Sequence, residues 1–234
     1  MSRGRILVAA VCGTGFAVLT LAVGFHPEPF GVDRAALRAA EDLRTPWLTA
    51  LLTTITTAGS SPWLVAIALV VALAALGSRR DPQPGAWLLA EYVGAVVLYQ
   101  SLKAVLDRAR PPGGLDDATG AAFPSGHATQ GIAFFGLLAA IFLSLLPRGV
   151  RLPAAVGVAT IGVLSGLSRV YLGVHWLTDV AGGFLLGSAW LAIMLGIRTT
   201  FVRRQEARAS RVSGRDGGPP PGEPPPVQFP RSDA

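Results

Sequence analysis

The chain has 234 residues, is 51% hydrophobic and only 15% charged, and its mean hydropathy is +0.49. That balance excludes an ordinary soluble domain, and apolar runs near twenty residues recur between polar breaks, so the fold class is all-α: a polytopic membrane helix bundle with about six transmembrane helices. The net charge of +6 would suit a nucleic-acid partner, but the arginines gather at the ends of apolar runs and in the tail without interleaved aromatics, so none is expected.

After a short basic start, residues 6–25 are apolar and, at ~1.5 Å per residue, long enough to cross the hydrocarbon. Ala22 and Gly24 near its end resemble a signal-cleavage site, but the stretch is long for a signal peptide and reads as an uncleaved span. Cys12 within it is a small buried or lipid-facing residue, and one cysteine excludes a disulfide framework within the chain. Residues 26–44 are polar, with a helical stretch from about Asp33. Residues 47–58 are apolar but only a dozen long, which suits an interfacial or half-buried helix. Gly59-Ser60-Ser61-Pro62 breaks it, and residues 63–77 form the second span.

Residues 86–106 form the third span, with Lys103 at its polar end. Glu91 lies near the other end and is expected to face water or headgroups. A polar connection of seventeen residues, 107–123, leads to the fourth span at 125–146, which Pro124 and Ser125 open as a helix start. Residues 152–168 and 175–197 are the fifth and sixth spans, with Gly183 and Gly187 forming a small-residue pair for internal helix packing. Residues 1–202 therefore make one membrane domain, and residues 203–234, rich in Arg, Pro, Gly and Ser, a disordered tail. Six crossings put both termini on the side that carries Arg3, Arg5, Arg79, Arg80, Arg148, Arg151, Arg198, Arg203 and Arg204, which the positive-inside rule makes cytoplasmic; Arg34, Arg38 and Arg44 run against it.

The scarce residue types sit in three short stretches. Lys103 is the only lysine against nineteen arginines, and stands seven residues before Arg110-Pro111. A lysine in so Arg-biased a chain points to a need for a compact ammonium. His127 lies in Pro124-Ser125-Gly126-His127, and His175 in Ser168-Arg169-x5-His175-x3-Asp179. On the six-span layout all three stretches open to the extracytoplasmic face.

Lys103, Arg110 and Arg169 are cations at a bilayer edge, where they need an anion or access to water. Arginine's fork matches phosphate oxygens and lysine adds a point charge. The helix start at Ser125 and Gly126 supplies a hydroxyl, free N–H groups and room for close approach, so the set makes a cradle for a tetrahedral oxyanion. His175 and Asp179, four apart, share a helix face, and a carboxylate on one ring nitrogen leaves the other free to attack phosphorus. His127, from another helix, suits a general acid. The residues alone leave open which histidine is nucleophile and which is acid.

The three stretches resemble the signature of the type 2 phosphatidic acid phosphatase superfamily of integral membrane lipid phosphatases, with every signature position filled over residues 103–179. The resemblance implies a metal-independent hydrolase without cofactor, working through a phosphohistidine. It makes His175 the nucleophile, Asp179 its orienting carboxylate and His127 the general acid, with Lys103, Arg110, Ser125, Gly126 and Arg169 holding the phosphoryl oxygens. The expected substrate is a lipid phosphate or pyrophosphate: undecaprenyl pyrophosphate first, then phosphatidic acid and phosphatidylglycerol phosphate. A lipid phosphotransferase using the same site and a non-catalytic lipid carrier are the alternatives; labelled phosphate followed with added acceptors tests the first, and a turnover assay tests the second.

Overall fold

The computed structural model describes residues 2–79, 83–143 and 146–215. Among these residues eight helices follow one another: α1 (Arg3–Phe25), α2 (Gly31–Asp42), α3 (Pro46–Ala58), α4 (Ser61–Arg79), α5 (Gln83–Leu106), α6 (Gly126–Phe142), α7 (Arg148–Tyr171) and α8 (Leu177–Arg215). No strand occurs among the described residues. The all-α membrane bundle is what the recurring apolar runs lead one to expect.

Four helices, α1, α5, α7 and α8, are each long and apolar enough to cross a membrane. The dozen apolar residues expected to be interfacial or half-buried form α3, which meets α4 at Gly59 and Ser60 with a bend of 51°, the geometry of a broken span or a re-entrant loop. Gly59 fits that bend because a Cβ there would stand 2.3 Å from the Ser165 hydroxyl of α7. The fourth predicted span appears as α6, an apolar helix of 17 residues, at the short end of the lengths that cross a bilayer.

Helix α6 is the centre of the bundle, packed by α5, α7 and α8. Leu64 and Ala68 of α4, Leu88 of α5, and Phe134, Phe135, Leu137 and Ile141 of α6 form its main apolar core. Two glycine contacts press neighbours onto it. A Cβ on Gly162 of α7 would lie 2.0 Å from the Gly131 carbonyl, and one on Gly183 of α8 would lie 2.5 Å from the Ser125 carbonyl. Gly183 and Gly187 thus serve internal packing, as expected. Gly162→Leu should cost about 3 kcal/mol or more, since the obstacle is backbone and cannot rotate away. Thermal unfolding in detergent checks this, and an unchanged midpoint would show that α7 can slide without loss.

Two expectations are corrected. Glu91 faces neither water nor headgroups: it is 0% exposed, and neither carboxylate oxygen has a hydrogen-bond partner among the described residues. Its position in sequence fixed its depth, but the surrounding helices, not depth, set its exposure. Helix α8 also runs past residue 203 to Arg215. The Arg, Gln, Glu and Ala of residues 203–208 are strong helix formers and extend a helix already nucleated. The rest of the expected tail, residues 216–234, lies outside the described residues.

Candidate active site

The connections between helices bring the three sequence stretches together. The end of α5, the start of α6, the end of α7 and the start of α8 meet around a cavity of about 580 Å³. Lys103, Arg110, Gly126, His127, Arg169 and His175 all line it. At the opposite end of the bundle Arg5 of α1 donates to the Leu195 carbonyl and the Thr199 hydroxyl of α8, at 3.2 and 2.7 Å.

The segment joining α5 to α6 folds around its own cations. Arg110 Nε donates to the Gly120 carbonyl at 2.9 Å and Nη2 to that of Thr119 at 3.0 Å. Lys103 Nζ donates to the carbonyls of Ala121 and Ala122. Gly120, with φ +70°, supplies the left-handed turn this wrapping requires. Arg110 is held below its ordinary pKa, first by burial and then by the Arg169 guanidinium.

Ser125 is the N-cap of α6, its Oγ facing the Ala128 N–H at 3.5 Å. It is 0% exposed and does not line the cavity. Its hydroxyl is thus occupied with starting the helix, and the expectation that it also reaches a phosphoryl oxygen has no support from its placement. Its backbone N–H donates to the Asp179 carbonyl at 3.0 Å, tying the second stretch to the third. Gly126 and His127 follow on the cavity wall, so the start of α6 opens where an anion would be favoured. His127 shares that wall with Arg169 and His175.

The turn from α7 to α8 delivers the remaining groups. Gly173, with φ +69°, reverses the chain, and the His175 N–H returns to the Arg169 carbonyl at 3.2 Å. Asp179 in the first turn of α8 accepts the Trp176 N–H on Oδ2 at 2.8 Å. The same oxygen lies 3.4 Å from Nδ1 of His175. The contact is not a formed hydrogen bond, since Nδ1 has no partner. His175 Nε2 stands 3.1 Å from Arg110 Nη1. Guanidinium can only donate, so Nε2 is the acceptor and the ring proton belongs on Nδ1, toward Asp179. That tautomer leaves a lone pair on Nε2.

Burial is the main force on the His175 ring and takes its pKa down to about 4; Asp179 pulls it up, and Arg110 and Lys103 push it further down. Above that value the imidazole is neutral and keeps its ring lone pair, and it takes up a proton as pH falls through about 4. Arg169, 4% exposed, donates from Nη1 to Thr56 Oγ1 at 3.2 Å and to Asp116 Oδ2 at 2.5 Å.

Three residues of this region escape a reading of the sequence. Asp116 pairs with Arg169 across 53 positions. Arg108 joins Asp179 to Asp33 of α2 through contacts 71 and 75 positions apart. The one local hint is Arg108 itself, a second arginine two positions before Arg110 in a connection that needs only one for the motif.

Cations, a helix start and an oriented imidazole around one cavity in a membrane bundle define a class of membrane enzyme that handles phosphate. Residues 84–203 match the PAP2 superfamily, and the chain belongs to it. It is 36% identical over 177 residues to phosphatidylglycerophosphatase B of Bacillus subtilis (strain 168), covering 72% of this chain and 85% of that protein. It is 31% identical over 123 residues to undecaprenyl-diphosphatase of Sulfolobus acidocaldarius, covering 50% of this chain and 55% of that one. The crystal structure of the transmembrane PAP2-type phosphatidylglycerolphosphate phosphatase from Bacillus subtilis superposes with a TM-score of 0.75 at 29% identity, over 82% of this chain and 96% of that one.

Proposed function

We propose that the protein is an integral membrane lipid phosphatase that releases phosphate from a lipid phosphomonoester or pyrophosphate through a phosphohistidine on His175. The observation that carries this reading is the shared cavity: Lys103, Arg110, His127, Arg169 and His175 line it together, with Asp179 behind the His175 ring. Nε2 of His175 attacks phosphorus while Lys103, Arg110 and Arg169 take up the charge on the equatorial oxygens. His127 protonates the leaving oxygen, and then draws a proton from the water that hydrolyses the phosphohistidine. No metal is required by this scheme.

The greater reach of the likeness to phosphatidylglycerophosphatase B moves phosphatidylglycerol phosphate ahead of undecaprenyl pyrophosphate as substrate. The site opens to the extracytoplasmic face in this reading. Arg5 and the α8 segment beyond Leu195 share the far end of the bundle, and the arginines of that end make it cytoplasmic.

Purified protein in detergent, given phosphatidylglycerol phosphate, undecaprenyl pyrophosphate and phosphatidic acid with EDTA present, is expected to release phosphate from at least one. Silence on the whole panel, or activity that chelation removes, contradicts the reading. In the same assay Lys103→Arg should lower turnover at least about tenfold, ~1.4 kcal/mol at the barrier, because a planar fork cannot take the place of an ammonium already bonded to two carbonyls. Turnover near wild type would show that any cation serves there.

A further inference from the structure

Arg108 stands two residues before Arg110 but does not line the cavity. It is 1% exposed, and carboxylates engage both arms of its fork. Nη1 lies 2.5 Å from Asp179 Oδ1, and Nη2 lies 2.8 Å from Asp33 Oδ2. Nη1 also donates to the Thr178 hydroxyl at 2.8 Å. Asp33 in turn accepts the Thr178 N–H at 2.8 Å, the Thr178 hydroxyl at 2.9 Å and the Phe30 N–H at 3.0 Å. Asp33 and Asp179 are both 0% exposed.

The consequence falls on Asp179. One oxygen faces the His175 ring and the other is turned into Arg108. A buried carboxylate with no counter-charge favours imidazolium beside it, and imidazolium has no lone pair for phosphorus. A carboxylate shared with a guanidinium still orients the ring but offers it less charge. Arg110 and Lys103 act on His175 as cations, and the carboxylates of Asp107 and Asp117 stand elsewhere on the cavity wall with His127 and Arg169, whereas Asp179 lies 3.4 Å from the ring. Asp179 therefore supplies the negative charge at the ring, and Arg108 controls how much of it the ring feels.

We propose that Arg108, gripped from behind by Asp33, is a positioning residue: it aims the Asp179 carboxylate at His175 and blunts its charge, so that the nucleophile is oriented and stays neutral. Helix α2, which belongs to none of the three signature stretches, is by this route part of the device that prepares the nucleophile. The inference rests on the phosphohistidine reading.

The test is kcat/KM against pH for the full chain in lipid nanodiscs, using one lipid phosphate throughout so that the substrate's own ionisation cancels. Arg108→Met is expected to move the acid limb up by about one pH unit, a loss of roughly fivefold at the wild-type midpoint, with a smaller loss at neutral pH. Arg108→Lys, which keeps the charge, should bring the limb back toward wild type. The double variant Asp33→Asn with Arg108→Met leaves no unpaired Asp33 charge and should shift the limb in the same direction. An unmoved limb in either folded methionine variant overturns the proposal. So does failure of both to fold, since Arg108 would then be a strut. Rapid-quench labelling of the wild type separates the two levels: label on His175 with an unmoved limb sinks this inference alone, and no label sinks the phosphohistidine reading with it.

Discussion

His175→Ala is expected to lower turnover of a lipid phosphate by about 10⁴-fold or more, ~5 kcal/mol at the barrier. The loss is large because His175 places a ring lone pair on the cavity wall between two partners that orient it. Nε2 accepts from Arg110 at 3.1 Å, and Nδ1 is turned to the Asp179 carboxylate at 3.4 Å. What remains after the substitution is the charge stabilisation of Lys103, Arg110 and Arg169, which can assist water but cannot form the covalent intermediate. Steady-state turnover on a short-chain lipid phosphate, with thermal unfolding to show that the variant is folded, measures the effect. A loss below about tenfold would mean that water attacks phosphorus directly.

His127→Ala is the second large effect, and its size should depend on the leaving group. For a lipid monophosphate the leaving oxygen is an alkoxide, so if His127 is the proton donor proposed above its removal should cost on the order of 10³-fold. A lipid pyrophosphate leaves as a phosphate monoester, which needs less protonation, and an aryl phosphate leaves as a phenolate, so both should lose less. His127 is suited to this selectivity because it comes from the start of α6 and lines the same cavity as His175 without sharing its carboxylate. Equal losses on all three substrates would assign His127 to binding rather than proton transfer.

The local parts of this site are legible in the sequence and the long-range parts are not. His175 and Asp179 are four apart at a helix start, so their pairing follows from helical geometry. Ser125 and Gly126 announce a helix start by residue type, and the structure puts the start there. The convergence of the three stretches could be anticipated because each lies at a helix end on one side of the bundle. Arg108 and Asp33 could not be anticipated: no periodicity links positions 75 apart, and an arginine beside a motif arginine reads as a solvated charge until its burial is seen. The same holds for the bend between α3 and α4, where a Gly-Ser-Ser-Pro break tells that the helix stops but not that the next one leaves it at 51°. Composition along residues 203–215 points to a tail, while helix propensity in its first turns carries α8 onward. Glu91 shows the limit of hydropathy most plainly: its depth is readable, and the side of the helix it faces is not.

The most direct measurement is a rapid quench of the wild-type enzyme with a lipid carrying labelled phosphate, followed by mapping of the labelled peptide under alkaline conditions. Label on the peptide that contains His175, rising and decaying within one turnover and absent in His175→Ala, is the predicted result. Label on the His127 peptide instead, or full turnover with no labelled protein at any time, would contradict it.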